Sequence, residues 1–200
     1  MTFRPNRQAA RSAATRAALV GAARPLFGER GYAGVGTEEI VQAAGVTRGA
    51  LYHQFTDKRD LFLAVVENVE VEIIGRISAR LAAADPSDPL GALAEGAEVL
   101  FDAILEPGIR RITAVDAPSV LGWETWRDIS ERYGLGLIDA ALTAAVAQGS
   151  LGEQPTRPLA HLLLGALNES AMYVALADDM PAARSHTLAA LRSILEALRQ

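Results

Sequence analysis

The sequence predicts an all-α protein of two lobes: an N-terminal three-helix lobe containing a helix-turn-helix, and a larger C-terminal helical lobe. Three observations carry that expectation. Half of the 200 residues are hydrophobic but only 6% are aromatic, and alanine and leucine dominate, which favours helix over strand. Apolar residues recur at three- and four-residue spacing along most of the chain, with no strand-like alternation and no internal repeat. Residues 37–58 form two short periodic stretches separated by Gly45, so two short helices meet at a tight glycine corner.

The elements follow in order. Residues 1–11 are polar, with Arg4, Arg7 and Arg11, and read as a disordered basic arm; such arms also reach DNA minor grooves. From Ser12 to Arg30 the pattern is helical, with Leu19, Ala23 and Phe27 at four-residue spacing and Leu26 beside them. Pro25 lies inside it. A proline there removes a hydrogen bond and crowds the carbonyl four residues back, at a cost of about 3 kcal/mol. That carbonyl belongs to Gly21, which relaxes easily, so a kink is expected rather than two helices. The glycine-rich stretch 31–36 forms a loop. It follows a helix and lacks the lysine of a phosphate-binding loop.

Thr37 is the expected N-cap of the next helix, with Glu38 and Glu39 at the positive end of its dipole. Ile40 and Ala44 face inward. Gly45 allows the positive φ that a sharp corner needs. Thr47 caps a helix running to about Phe55, with Leu51 and Phe55 inward. Arg48, Gly49, Tyr52 and His53 are left facing outward. Thr56 or Asp57 starts a longer helix to about Ala84 that bridges the lobes, burying Leu61, Phe62, Val65 and Val69.

Asp85-Pro-Ser-Asp-Pro89 is a break. Helical periodicity resumes from Leu90 to Leu105 and stops at Pro107-Gly108; a short segment, 109–117, ends at Pro118. Residues 122–148 read as one long helix with Trp126, Ile129, Tyr133, Leu137, Ala141 and Ala145 on one face, ended by Gly149. Residues 159–177 are apolar nearly all round and are expected to be buried on most sides. A last helix, about 181–199, carries Leu188, Leu191, Leu195 and Leu198 on one stripe.

The net charge of −5 hides a division. Residues 1–59 hold nine Arg or Lys and four acids, 9 − 4 = +5; residues 60–200 hold the other ten and twenty, 10 − 20 = −10. A basic lobe joined to an acidic one is the pattern of a nucleic-acid reader with a separate second domain. Cysteine is absent, so there is no disulfide framework and no thiolate metal site. The three histidines, His53, His161 and His186, lack metal-ligand spacing. No nucleophile elbow or carboxylate–histidine arrangement stands out, so neither a catalytic residue nor a cofactor is expected. No apolar run reaches the ~20 residues of a membrane span, and the N-terminus lacks the apolar stretch of a signal peptide. The expectation is a soluble cytoplasmic protein with no membrane partner.

The groups on the second short helix suit DNA. A helix of that size fits a major groove about 12 Å wide. Arg48 can reach guanine O6 and N7, and Gly49 lets the backbone come close. Thr47 combines capping with a phosphate or base contact, while Tyr52 and His53 suit phosphate oxygens. Lys58, the only lysine in the chain, lies at the start of the bridging helix, where charge and helix terminus together favour a phosphate. Thr37 is placed to do the same. Each has a plainer explanation: Arg48 and Lys58 as solvated surface charges, Thr47 as a cap alone, Tyr52 as a support for its helix.

The segment 17–67 resembles the TetR family of bacterial transcriptional regulators. The resemblance rests on residues 22–32, Thr37 to Ile40, the run Ala44-Gly-Val-Thr-Arg-Gly-Ala-Leu-Tyr-His-Gln-Phe55, Lys58, and Leu61-Phe62. Pro25, Val41 and Gln54 depart from the family pattern; Gln54 replaces a common histidine yet retains an amide that can donate to a phosphate. The resemblance implies a TetR-like homodimer: a DNA-binding domain at 12–72 after the 1–11 arm, and a ligand-binding and dimerisation domain at 73–200. It implies a repressor released from a pseudo-palindromic double-stranded DNA operator by an unidentified small-molecule effector. Phe101, Trp123, Trp126, Tyr133, Asn168 and Met172 are candidates to line an effector cavity, with core packing or dimer contact as the simpler explanation of each. Glu124, Asp128 and Glu131 fit a solvated acidic face better than a cation site. Two other readings stand beside this one: a constitutive DNA-binding protein without an effector, and a helical enzyme whose DNA-binding lobe is vestigial.

Overall fold

The computed structural model describes residues 7–199, and among them the chain is helical without a strand. The N-terminal lobe is α1 (Arg7–Arg30), α2 (Thr37–Ala44), α3 (Arg48–Gln54) and the first half of α4 (Lys58–Leu81). The C-terminal lobe adds α5 (Pro89–Leu105), α6 (Pro107–Arg110), α7 (Ala117–Leu121), α8 (Trp123–Ser130), α9 (Gly136–Ala147), α10 (Thr156–Leu176) and α11 (Met180–Ala197). Two π-helical stretches, Arg111–Asp116 and Glu131–Leu135, join α6 to α7 and α8 to α9.

The first core forms where the periodicity places it. Leu19, Ala23 and Phe27 of α1 meet Ile40, Leu51, Phe55, Leu61, Phe62, Val65 and Val69, all buried. Burying one such large side chain contributes about 1.5–3 kcal/mol. Phe27 and Phe62 pack edge to face, 5.2 Å apart. As expected, α1 runs unbroken through Pro25 as one helix. It starts earlier than expected: residues 7–11, assigned to the unstructured arm, are helical, while the rest of that arm, including Arg4, lies outside the described residues.

Three sequence expectations change in detail. The N-cap of α2 is Gly36, in extended backbone, and Thr37 is the first helical residue. The segment 109–117 does not end at Pro118; helix continues from Pro107 to Leu121. Pro118 lies inside that continuous helix, just after the π-helical stretch. The helix over 122–148 exists but carries the π-turn at 131–135. The wider turn inserts a residue into the register. After Trp126 and Ile129 the buried positions are therefore Leu135, Ile138, Leu142 and Ala145, rather than Tyr133, Leu137 and Ala141.

α4 spans both lobes without interruption, and other contacts tie them together. The Tyr32 amide donates to Asp116 Oδ2 at 2.7 Å. Arg59 donates to the carbonyls of Val120 and Leu121 at 3.1 and 2.6 Å. Arg132 pairs with Glu67 at 2.7 Å. Between α1 and α6 the backbones nearly touch: a Cβ on Gly28 would lie 3.0 Å from the Gly108 Cα.

α10 packs against α5, α9 and α11, burying Ala160, Leu163, Leu164, Ala171, Val174 and Ala175. It is not buried on most sides, as its composition implied. Leu162, Tyr173 and Leu176 are 71%, 60% and 68% exposed, and with Ala166 and Glu169 they form one stripe at alternating four- and three-residue spacing. By length and mean hydropathy α10 is the one described helix that reaches the range of a membrane span, with a third of its most apolar window buried. The same apolar character comes from a helix that serves one core on its inner face and leaves a second apolar face open.

Candidate nucleic-acid interface and ligand cavity

The two short helices meet at Gly45, whose φ is 64° and whose amide donates back to Gln42. A side chain would be strained in that left-handed conformation. The corner presents α3 outward. Thr47 caps it, its Oγ1 accepting from the Ala50 amide at 3.2 Å, and its hydroxyl hydrogen stays available to donate. Leu51 and Phe55 anchor the inner face in the core.

The outer face carries the residues the sequence nominated. Thr47, Arg48, Gly49, Tyr52 and His53 are all exposed. The Arg48 guanidinium lies 5.6 Å above the Tyr52 ring and 3.5 Å from Glu38, with both charged side chains well exposed. Exposed pairs of this kind contribute about 0–1 kcal/mol, so Arg48 exchanges that partner at little cost. Lys58 opens α4, its ammonium 4.1 Å from the Tyr32 ring centre, and partial burial holds its pKa below the usual lysine range. Thr37 sits half-buried at the start of α2. Gln54 is not free for a phosphate: its side-chain amide donates to Ser12 of α1 at 2.8 Å, while Arg16 donates to its backbone carbonyl and lies over the Phe55 ring. These contacts fix α3 against α1.

In the second lobe a cavity of about 110 Å³ lies among α4, α5, α8, α9, α10 and the two π-helical stretches. Of the six nominated residues, Trp126, Asn168 and Met172 line it. Phe101 is a fully buried core residue, Trp123 is 61% exposed, and Tyr133 packs against the first core; none of these three lines the cavity. Trp123 instead tilts against Trp126, ring centres 5.2 Å apart. The walls are otherwise aliphatic, from Ile73, Ile77, Leu100, Ile104, Ile138 and Leu164 among others.

Sequence reasoning missed Glu70, Thr113 and Ser130, which also line the cavity. Thr113 and Ser130 are satisfied internally, donating to the carbonyls of Ile109 and Trp126, and the Trp126 indole donates to the Thr113 carbonyl at 3.2 Å. Glu70 has no such partner. Its apolar surroundings push the carboxyl up to about 7, because a low-dielectric site penalises the charged form. A signal existed: Phe62, Val66, Glu70 and Ile74 follow at four-residue spacing, so Glu70 is an acid on an inward stripe. Glu124 and Asp128 lie exposed, and Glu131 pairs with Arg127, so that group is a solvated acidic face. A second, more open groove between α1, α6 and the turn before α11 is rimmed by Glu29, Arg110 and Arg111.

Comparison with known proteins agrees with both halves. Residues 19–65 match the family model described as bacterial regulatory proteins, tetR family, and residues 90–198 match the tetracyclin repressor-like C-terminal domain. The chain is 27% identical to the transposon Tn10 TetC protein of Escherichia coli, over 97% of each chain. It is 34% identical to the HTH-type transcriptional regulator CymR of Pseudomonas putida, over 71% of this chain and 70% of that one. Among solved structures, a TetR-family transcriptional regulator from Pectobacterium atrosepticum superposes with a TM-score of 0.84 at 34% identity, covering 95% of this chain and 96% of that one.

Proposed function

Because the chain belongs to the TetR family, and is thus a DNA-binding transcriptional regulator, we propose a specific use for each part: α3 reads the operator, α10 and α11 dimerise, and the cavity holds an effector. The observation that carries this reading is the outward face of α3, with Arg48, Gly49, Tyr52 and His53 exposed on a helix whose inner face is locked by Leu51 and Phe55. Arg48 supplies base discrimination. Thr37, Thr47, Tyr52, His53 and Lys58 hold phosphates and set the register. The DNA-binding domain is 12–72, extended by the helical residues 7–11, and the regulatory domain is 73–200.

Two copies present two recognition helices. On a pseudo-palindromic operator the two helices sit one DNA turn apart, about 34 Å, or a multiple of it. The open stripe on α10, with Ile194 of α11 54% exposed, supports a four-helix bundle between subunits. A ligand in the cavity favours an arrangement of α4 that mismatches the operator, and by linkage DNA weakens the ligand by the same factor. This makes the protein a cytoplasmic, ligand-released repressor, and no catalytic step is part of the reading.

The test is selection from a random duplex pool with the full-length protein. The expected result is enrichment of an inverted repeat whose affinity falls steeply with salt. Equal binding of all duplexes, or no binding at low ionic strength, overturns it. The constitutive reading has one observation in its favour, since the cavity is smaller than the ~300 Å³ of ordinary ligand sites. An operator affinity unmoved by any small molecule would establish it.

A further inference from the structure

Resting on the reading of the cavity as the effector site, we propose that its ligand is a small, slender lipophilic amine, its ammonium held by the Glu70 carboxylate and its hydrocarbon chain lying along α4. Shape gives the first half. The lining residues of α4 run from Glu70 to Leu81, eleven residues or about 16 Å of helix. A volume of about 110 Å³ spread over that length takes a single chain or one small ring; ~150 Å³ is known to accept a benzene. The wall beyond Glu70 is Ile73, Ile74, Ile77 and Leu81 on α4, faced by Leu93 and Leu100 of α5, and it offers a hydrocarbon nothing but apolar contact.

Chemistry gives the second half. Glu70 is the one ionisable group lining the cavity; the surrounding elements turn aliphatic, aromatic, thioether, hydroxyl and amide side chains toward it. The charged neighbours on α4 are engaged elsewhere, Glu67 with Arg132 and Glu72 with Arg24 and Arg76. Thr113, Ser130 and the Trp126 indole already have backbone partners. The carboxyl is therefore an unpaired acid in an apolar chamber, and an isolated buried charge is costly until a counter-charge arrives. An ammonium supplies that charge and its hydrogen-bond donors at once. A carboxylate ligand would meet repulsion, and an alcohol would leave the charge uncompensated. Burial has moved the Glu70 carboxyl to about 7, so the site is half-ionised near neutrality and complete only when an amine ionises it fully.

The experiment is calorimetric titration of the full-length protein with n-hexylamine, n-hexanol and hexanoate. At pH 8 hexylamine is expected to bind at least tenfold more tightly than hexanol, and hexanoate more weakly than both. In the wild type the hexylamine affinity rises several-fold from pH 6 to pH 8 as Glu70 ionises, while hexanol stays flat. Glu70→Gln brings hexylamine and hexanol to within about threefold. Hexanol or hexanoate matching hexylamine in the wild type, an amine affinity flat with pH, an amine preference surviving Glu70→Gln, or no binding of any of the three would each overturn the proposal. Operator release is scored separately: hexylamine that binds without releasing DNA supports the amine site and defeats the effector reading, whereas release by hexanoate alone does the reverse.

Discussion

Gln54 and Arg48 sit six residues apart on one short helix and do opposite work. Gln54 turns back to α1 and fixes the helix in place; Arg48 points away, held only by an exposed carboxylate at 3.5 Å. Arg48→Ala should therefore leave folding intact and flatten preference at one base pair per half-site, a loss of about 1–3 kcal/mol against the preferred base. Equal weakening on every sequence in a base-substitution binding series would reduce Arg48 to a phosphate contact. Glu70 makes a prediction of the other kind. Its folded carboxyl holds a proton to about pH 7, against an ordinary value of 4.5. The folded state thus binds more protons than the unfolded state between those values, and stability falls as pH rises through that window. Without ligand, the Tm should drop from pH 5 to pH 8, and Glu70→Gln should remove most of that slope, gaining about 1–3 kcal/mol at pH 8. Parallel slopes for both proteins in thermal melts would show that the carboxyl is better solvated than its surroundings imply. The outward set on α3 was legible from spacing alone, because Leu51 and Phe55 define the inward face. The inward turn of Gln54 was not legible, because its partner, Ser12, is forty-two positions away in sequence, beyond the reach of any local pattern.

Among the elements, α10 most needs something outside the chain. Its inner face completes the second core, yet its outer stripe of Leu162, Ala166, Tyr173 and Leu176 meets solvent in a single copy. A mostly apolar stripe of this kind, with Glu169 as its one charge, marks an interface. Tyr173→Glu should convert a dimer to monomer at micromolar concentration and lower operator affinity at least tenfold, while far-UV circular dichroism stays unchanged; a dimer persisting in analytical ultracentrifugation would place the contact elsewhere. Composition revealed α10 but not its two-sidedness, since an apolar residue looks the same whether its partner is in the same chain or another. The helix over 122–148 was legible as a helix, and its face differs at Tyr133, Leu137 and Ala141 while agreeing at Ala145. A π-turn shifts the register without announcing itself in residue type, so the periodicity was extrapolated at 3.6 residues per turn across a segment that does not obey it. Half of the cavity candidates lie elsewhere: Phe101 fills the core, Trp123 is exposed and Tyr133 packs against the first core, while Trp126, Asn168 and Met172 line the cavity beside isoleucine and leucine.

At the scale of the molecule, the two lobes are held at backbone-to-backbone distance. A methyl group on Gly28 would lie 3.0 Å from the Gly108 Cα, so the facing backbone would have to give by a few tenths of an ångström. Gly28→Ala should lower the Tm by several degrees even though alanine is the better helix former by about 1 kcal/mol. Gly75→Ala, where a Cβ meets nothing within 4 Å, should raise it. Stabilisation by both substitutions in differential scanning calorimetry would mean that the lobes separate freely at this contact. The division of charge forecast this bipartite plan; the closeness of the join could not be read from it, because a glycine is silent about what passes beside it.

α4 has a mechanical consequence. One unbroken rod has the chamber wall on its distal half and Lys58 at its other tip, with Glu70 twelve residues, about 18 Å, from that tip. A pivot of 5° about Glu70 would swing the tip by about 1.6 Å, half the length of a hydrogen bond. On the proposed reading, a guest too small to remodel the lobe around it would still unseat the reading head by leaning on its lever.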